Sequence, residues 1–277
     1  MSTVVLSPSP SFQTPAPATQ LRRALSADVL RLKRTPALWL TLASGAFPVA
    51  LTFLIFYFKG EYLLKPGQDP WPTYLMQSWQ TACALLLPLF VVLLTGLVLN
   101  VENKAVAWKH VYAQPVGRGA VFGSKLLVLM GLNALAMLAY TVILLGSGLL
   151  LGLLRPSLHF QDHAVPLLAT VTLLWHTYIA TLGILAIQYV ASLWWRSFAT
   201  PVALGMGATI AALTLMRWEH IDWVPYATPL LALQKAASVP KGHALDLALA
   251  KAEWLTLGWF GLVLLGGYVL LRYRHEG

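Results

Sequence analysis

The residues able to do chemistry in this chain of 277 residues are few and scattered. Cys83 is the single cysteine and sits inside an apolar run, which excludes an internal disulfide framework and a Cys-based zinc site. A lone cysteine in such surroundings reads as a small apolar residue. His159, Asp162 and His163 fall in the stretch RPSLHFQDHAVP. A His-x-x-x-His spacing can hold a metal on a helix, but Pro156 and Pro166 flank a short stretch with no helical pattern, so these three read as polar loop residues. Ser147, in GSGLL, and the distant His176 are the best nucleophile and base on offer, and both types are common in apolar helices. No pair of acids lies within an apolar run. Residues 117–125, GRGAVFGSK, hold the ingredients of a phosphate loop in the wrong order: Ser124 separates Gly123 from Lys125, and no strand precedes them. An ATP site on this chain is therefore not expected.

The elements that would position these residues are built for a bilayer. The chain is 58% hydrophobic and 10% charged, against about 25% charged residues in a soluble domain. The net charge of +9 comes from bases at the ends of apolar runs, where anionic lipid and topology account for them and nucleic acid does not. A helix needs about twenty apolar residues to cross a membrane. Six stretches meet or approach that length, at residues 37–58, 75–101, 125–154, 165–195, 197–216 and 254–271, the last two being the shortest. The expected fold is an all-α integral membrane protein with six transmembrane helices. Trp39, Trp79, Trp194, Trp195, Trp218, Trp254 and Trp259 lie at or near run ends, as an interfacial aromatic belt would, although any one of them can instead be a core aromatic.

Twelve of the nineteen Lys and Arg residues fall on one side of this layout, together with both termini, which makes that side cytoplasmic. Residues 1–19 are rich in Ser, Thr and Pro, carry no charge and read as a disordered tail, leaving residues 20–277 as one membrane domain. Ahead of the first span, Leu21, Leu25, Val29 and Leu32 share a helix face flanked by Arg22, Arg23, Arg31, Lys33 and Arg34. That pattern suits an amphipathic helix in the headgroup plane, a solvated basic linker being the other reading. Between the fifth and sixth spans, some 37 residues are too apolar for a plain turn. Helical pieces near 228–237 and from about His243, separated by Pro240, Lys241 and Gly242, would form a shallow re-entrant hairpin over the outer end of the bundle.

Residues 99–125, LNVENKAVAWKHVYAQPVGRGAVFGSK, are unlike a passive connection. Residues 105–114 can make about two and a half helical turns before Pro115. Such a short helix, with aromatics and bases exposed, can dock in a groove of a partner protein or lie on lipid. Glu102-Asn103, Trp108-Lys109, Pro115-Val116-Gly117-Arg118 and Ser124-Lys125 together resemble permease subunits of type-2 ATP-binding-cassette exporters, in particular the bacitracin-resistance and lantibiotic-immunity permeases. LRLKRTPALWL before the first span resembles the same family's entry segment, and the likeness runs along nearly the whole chain after residue 20.

The resemblance implies a multi-pass subunit of the bacterial cytoplasmic (inner) membrane that exports an amphipathic substrate, a peptide antibiotic or lipid-like compound. It would work with a separate ATPase subunit holding ATP and Mg, and with a second permease, identical or a sister. No cofactor would bind this chain itself. The segment after the second span would be the coupling helix, with Trp108, Lys109, Val111, Tyr112, Gln114, Pro115 and Arg118 contacting the ATPase. Glu102 would be structural near the membrane face, paired with Lys104 or Arg118. The basic helix would be the elbow helix, and the hairpin before the sixth span the outer gate. The spans show no buried acid–base pair of the kind an ion-coupled carrier holds. The other class of function, a membrane-embedded enzyme such as an intramembrane protease or lipid-modifying transferase, would need Ser147 and His176 brought together.

Overall fold

The computed structural model describes residues 17–32, 35–65, 67–104, 118–195, 197–238 and 246–273. Among them the regular elements are all helical. Helix α1 spans Pro17–Leu32, and a short α2, Pro36–Ala43, leads into α3, Ala46–Leu63. Helix α4, Pro70–Thr81, starts earlier than the apolar run suggests, because the Asp69 carboxylate accepts the Trp71 N–H and Pro70 occupies the first turn. It continues through a π-helical turn, Ala82–Leu86, into α5, Leu87–Lys104. Helix α6, Arg118–Leu154, and α7, Leu167–Trp194, are joined by two 3-10 turns. Helix α8, Ala199–Thr214, precedes a 3-10 turn at Ile221–Trp223, then α9, Thr228–Ser238, and α10, Lys251–Tyr273.

Among the described residues, five stretches are long and apolar enough to cross a membrane: Pro36–Leu63, Pro70–Asn100, Gly119–Leu154, Leu167–Trp194 and Lys251–Leu270. The stretch expected as the fifth of six is instead the 16-residue α8, which at 1.5 Å per residue reaches about 24 Å, short of a hydrocarbon core of about 30 Å.

Helix α7 is the axis of the bundle and packs on α5, α8, α9 and α10. Its buried face carries Thr177, Thr181, Gln188 and Ser192 among apolar residues. Polar groups there need partners, since lipid offers none. Thr181 Oγ1 accepts from Asn133 Nδ2 of α6 at 2.9 Å, and Gln188 Nε2 donates to the Tyr226 hydroxyl at 2.6 Å. At the end of the bundle remote from Lys104 and Arg118, Trp71, Tyr74, Phe160 and Leu158 close a second core. Trp79 belongs to this core, not to an interfacial belt: it is 1% exposed and stacks edge-on against Tyr140 at 4.7 Å. Trp39, Trp218 and Trp254 do face outward.

The loop before α10 is not a shallow cap. A Cβ placed on Gly183 would lie 3.2 Å from Pro225 Cβ and 3.0 Å from Thr256 Cγ2. Gly183 is the seventeenth residue of α7, roughly 24 Å along it from its N-terminal end. The chain therefore dips deep beside α7 before α9 climbs back, and Val224, Tyr226 and Ala227 pack in the inner core. The expected second helical piece from His243 is absent between Asp246 and Ala250, which carry no regular structure; His243 itself, with Pro240, Lys241 and Gly242, lies outside the described residues.

Candidate functional site

At one end of the bundle, α5 stops at Lys104 and α6 begins at Arg118. Trp108, Lys109, Val111, Tyr112, Gln114 and Pro115 lie between them, outside the described residues. Glu102 falls in the last turn of α5, and Arg118 opens α6. What flanks this segment is well anchored. Leu21 of α1 lies 3.5 Å from the Cβ position of Gly123, and Leu25 packs against the inner core. Ser124 Oγ donates to Asp28 Oδ2 at 2.8 Å, and Lys125 Nζ stands 3.6 Å from Asp28 Oδ1. The face of α1 that packs is thus Leu21, Leu25 and Asp28, whereas Val29, expected on that face, is 46% exposed. Phe122 contacts both Tyr189 of α7 and Tyr268 of α10. The described chain therefore begins and ends at the same end of the bundle as Lys104 and Arg118.

Toward the other end sits a buried acid–base pair that the sequence reading missed. His176 Nδ1 lies 2.6 Å from Glu253 Oε1, with the two side chains 3% and 0% exposed. The expectation that the spans lack such a pair fails here. Glu253 stands at the edge of its apolar run, in the first turn of α10, where hydropathy counts it as boundary. Two features of the sequence could have found it: an acid three residues after the cap position Ala250, and a lone His inside a span, which needs a partner. Glu253 Oε2 accepts the Ala250 N–H at 2.5 Å, so the same carboxylate caps α10. His176 Nε2 faces the Asp246 carbonyl at 3.0 Å. A carbonyl only accepts, so Nε2 carries hydrogen, and Nδ1 is hydrogen-bonded to the carboxylate.

This geometry does not serve a nucleophile. Ser147 Oγ is taken up by the Tyr74 hydroxyl at 2.6 Å and the Leu144 carbonyl at 2.7 Å, while both ring nitrogens of His176 are engaged elsewhere. Ser147 and His176 are not brought together.

In the exposed loop between α6 and α7, His159 Nδ1 pairs with Asp162 Oδ2 at 2.7 Å. His159, Asp162 and His163 line a cavity of about 440 Å³ with Glu61 and Lys65. Among the described residues no three His, Cys, Asp or Glu side chains converge as a metal site would need. Glu61 is held by Arg155 at 3.0 Å and by the Ser157 hydroxyl at 2.8 Å.

Compared with known families, residues 24–212 match the one described as ABC-2 family transporter protein. No curated protein and no solved structure matches the chain.

Proposed function

The chain belongs to the ABC-2 family of transporter proteins, and on that premise we propose that it is the transmembrane subunit of an ATP-driven exporter, without an ATPase site of its own. A separate ATP-binding-cassette subunit binds ATP and Mg and drives it. The observation that carries this reading is the family match, which runs through both helices flanking residues 105–117. In this reading those residues form the coupling helix, and Trp108, Lys109, Val111, Tyr112, Gln114, Pro115 and Arg118 make the contact. Glu102 steadies the turn at the membrane face. Anchorage of the segment's far side on α1, through Asp28, Ser124 and Lys125, supports it, because a lever needs a rigid mount.

In the same reading α1 is the elbow helix, and the chain crosses six times. Helix α8 makes the fifth crossing despite its length: Phe198 lies beside Gly96, midway along α5, and the chain must reach the outer half before α10 begins beside His176. Both termini then lie in the cytoplasm, and the membrane is the bacterial inner membrane. A second permease, the same or a sister, pairs with this one. Ala203, Gly207 and Ala211 stand four residues apart on the exposed face of α8, and small residues at that spacing let helices approach closely in lipid. The substrate is amphipathic, a peptide antibiotic or a lipid-like compound, as in the exporters the chain resembles.

The test is copurification from membranes followed by mass spectrometry of the intact complex. An ATPase subunit retained with two permease chains is the expected result. A chain that purifies without any ATPase from cells that encode its partner would refute the reading. Thiol labelling of a cysteine placed at Trp108, in a Cys83→Ser background, checks the orientation, since an impermeant reagent added outside should not reach it.

A further inference from the structure

The buried pair at the start of α10 joins three parts of the molecule. His176 belongs to α7, the axis of the bundle. Glu253 belongs to the start of the last crossing. The Asp246 carbonyl belongs to the irregular strand that returns from the hairpin. Through Glu253 Oε2 and the Ala250 N–H, that strand is also fastened to α10. Lys235 of α9 donates to the Ala248 carbonyl at 2.5 Å, so the ascending helix is tied to the same strand. Leu233 of α9 is 3% exposed in the outer core.

We propose that His176 and Glu253 form a latch that holds the hairpin of α9 and residues 246–250 closed against α7, and that this latch must part for substrate to leave on the outer side. The proposal rests on the exporter reading. The pair is a positioning device: nothing in it touches a reacting atom. Its chemistry suits the task. Both ring nitrogens and both carboxylate oxygens have hydrogen-bond partners, so the pair can sit among apolar side chains. Separating the partners exposes a carboxylate and a ring nitrogen that must each be solvated. The closed state is therefore favoured until water enters, and water enters when the outer end opens. A passive structural contact between apolar side chains would lack that all-or-none character.

The neighbouring charges do not compete for the pair. Asp246 turns its carboxylate to the Ala248 N–H at 2.9 Å, and Lys251 is engaged with Asp222 at 3.1 Å. From the π-helical turn, Cys83 hydrogen-bonds Thr177, the residue after His176 in α7, and brings no further carboxylate or amine to the pair.

The experiment uses the full permease–ATPase complex in a Cys83→Ser background, with Leu233→Cys as reporter and an impermeant maleimide added from the outer side. With the native pair, labelling at rest should be slow and ATP should speed it. Glu253→Ala should raise the resting rate at least tenfold with the ATPase still bound. Glu253→Gln is the conservative control: its amide can donate to Nδ1 and accept the Ala250 N–H, so labelling should stay slow. The variant His176→Leu with Glu253→Leu removes the buried charges together and guards against misfolding. It should label as fast as Glu253→Ala. Slow labelling in either latch-free variant overturns the proposal, as does fast labelling of Glu253→Gln. Loss of the ATPase from the unmutated complex would instead refute the exporter reading, and the labelling rates in membranes would still decide the latch.

Discussion

Asp28 in α1 accepts a hydrogen bond of 2.8 Å from Ser124 in α6, although 96 positions separate them in the chain. Lys125, with a side chain 6% exposed, stands 3.6 Å from the same carboxylate. One acid thus fastens the N-terminal helix to the first turns of the helix that follows residues 105–117. Asp28→Ala removes a charge-assisted bond at a poorly hydrated site, and a loss of about 2 kcal/mol is expected. Asp28→Asn keeps an acceptor for Ser124 and should lose less. Thermal unfolding of the detergent-purified protein measures both. If α1 and α6 move as one mount for the coupling segment, Asp28→Ala also lowers transport per ATP hydrolysed.

Trp108 and Tyr112 stand four apart, on one face of the helix their sequence favours. Aromatics buried at an interface commonly cost on the order of 2 kcal/mol each when truncated. The double variant Trp108→Ala with Tyr112→Ala should therefore release the ATPase or uncouple its hydrolysis while the permease inserts normally. Copurification and transport assays on one preparation read the two effects. Normal binding with full transport would show that these residues are not the coupling element.

Pairing of two permeases through α8 predicts contact across Gly207. This residue is exposed and a Cβ there meets nothing within 4 Å in one chain, so it is free to face a neighbour. Gly207→Cys in the Cys83→Ser background should form a disulfide-linked dimer under mild oxidation. Gly207→Leu should weaken pairing in native mass spectrometry and leave thermal stability nearly unchanged. Cross-linking confined to an exposed residue of α6, such as Val142, would move the interface away from α8.

The long crossings were readable because runs of more than twenty apolar residues admit only one structure in lipid. The details inside them were not. The break between α2 and α3 at Ser44 and Gly45 falls where Pro48 has no N–H to give the Ser44 carbonyl, and the glycine there admits a close approach: a Cβ on Gly45 would lie 2.6 Å from the Tyr140 Cα. Nothing local in the sequence announces Tyr140 as its neighbour. Trp79 looked interfacial from its place near a run's end, and only the packing of α4 on α6 reveals it as core. The depth of the hairpin depends on Gly183 and Gln188, two residues of α7 whose partners lie more than thirty positions away. The candidate latch was half visible. His176 stood out as a lone titratable group in a span, and Glu253 was hidden by its position beside Lys251 and Trp254, where charge and belt residues are expected.

Gly183 supplies the last test, because it separates seating of the hairpin from coupling to the ATPase. Its missing side chain admits Pro225 and Thr256 to van der Waals contact, with the Thr256 backbone carbonyl 3.3 Å from the Cβ position. A proline ring and a helical carbonyl cannot rotate aside as the end of a flexible side chain can. Gly183→Ala gains helix propensity of up to about 1 kcal/mol against contacts that must each yield by a few tenths of an ångström, so its net effect on stability should be small. Gly183→Leu cannot be accommodated without displacing the 224–227 segment, and overpacking of this kind costs about 1–3 kcal/mol. The seat lies eleven residues from the end of α7, roughly 16 Å from the end of the bundle at which α5 ends and α6 begins. Gly183→Leu should therefore retain the ATPase and its hydrolysis, lose most transport, and speed labelling of Leu233→Cys from the outer side. Gly183→Ala should keep transport within about twofold of the parent, as expected for a change of a few tenths of a kcal/mol. Full transport by Gly183→Leu would show that the hairpin need not sit against α7 for the protein to work.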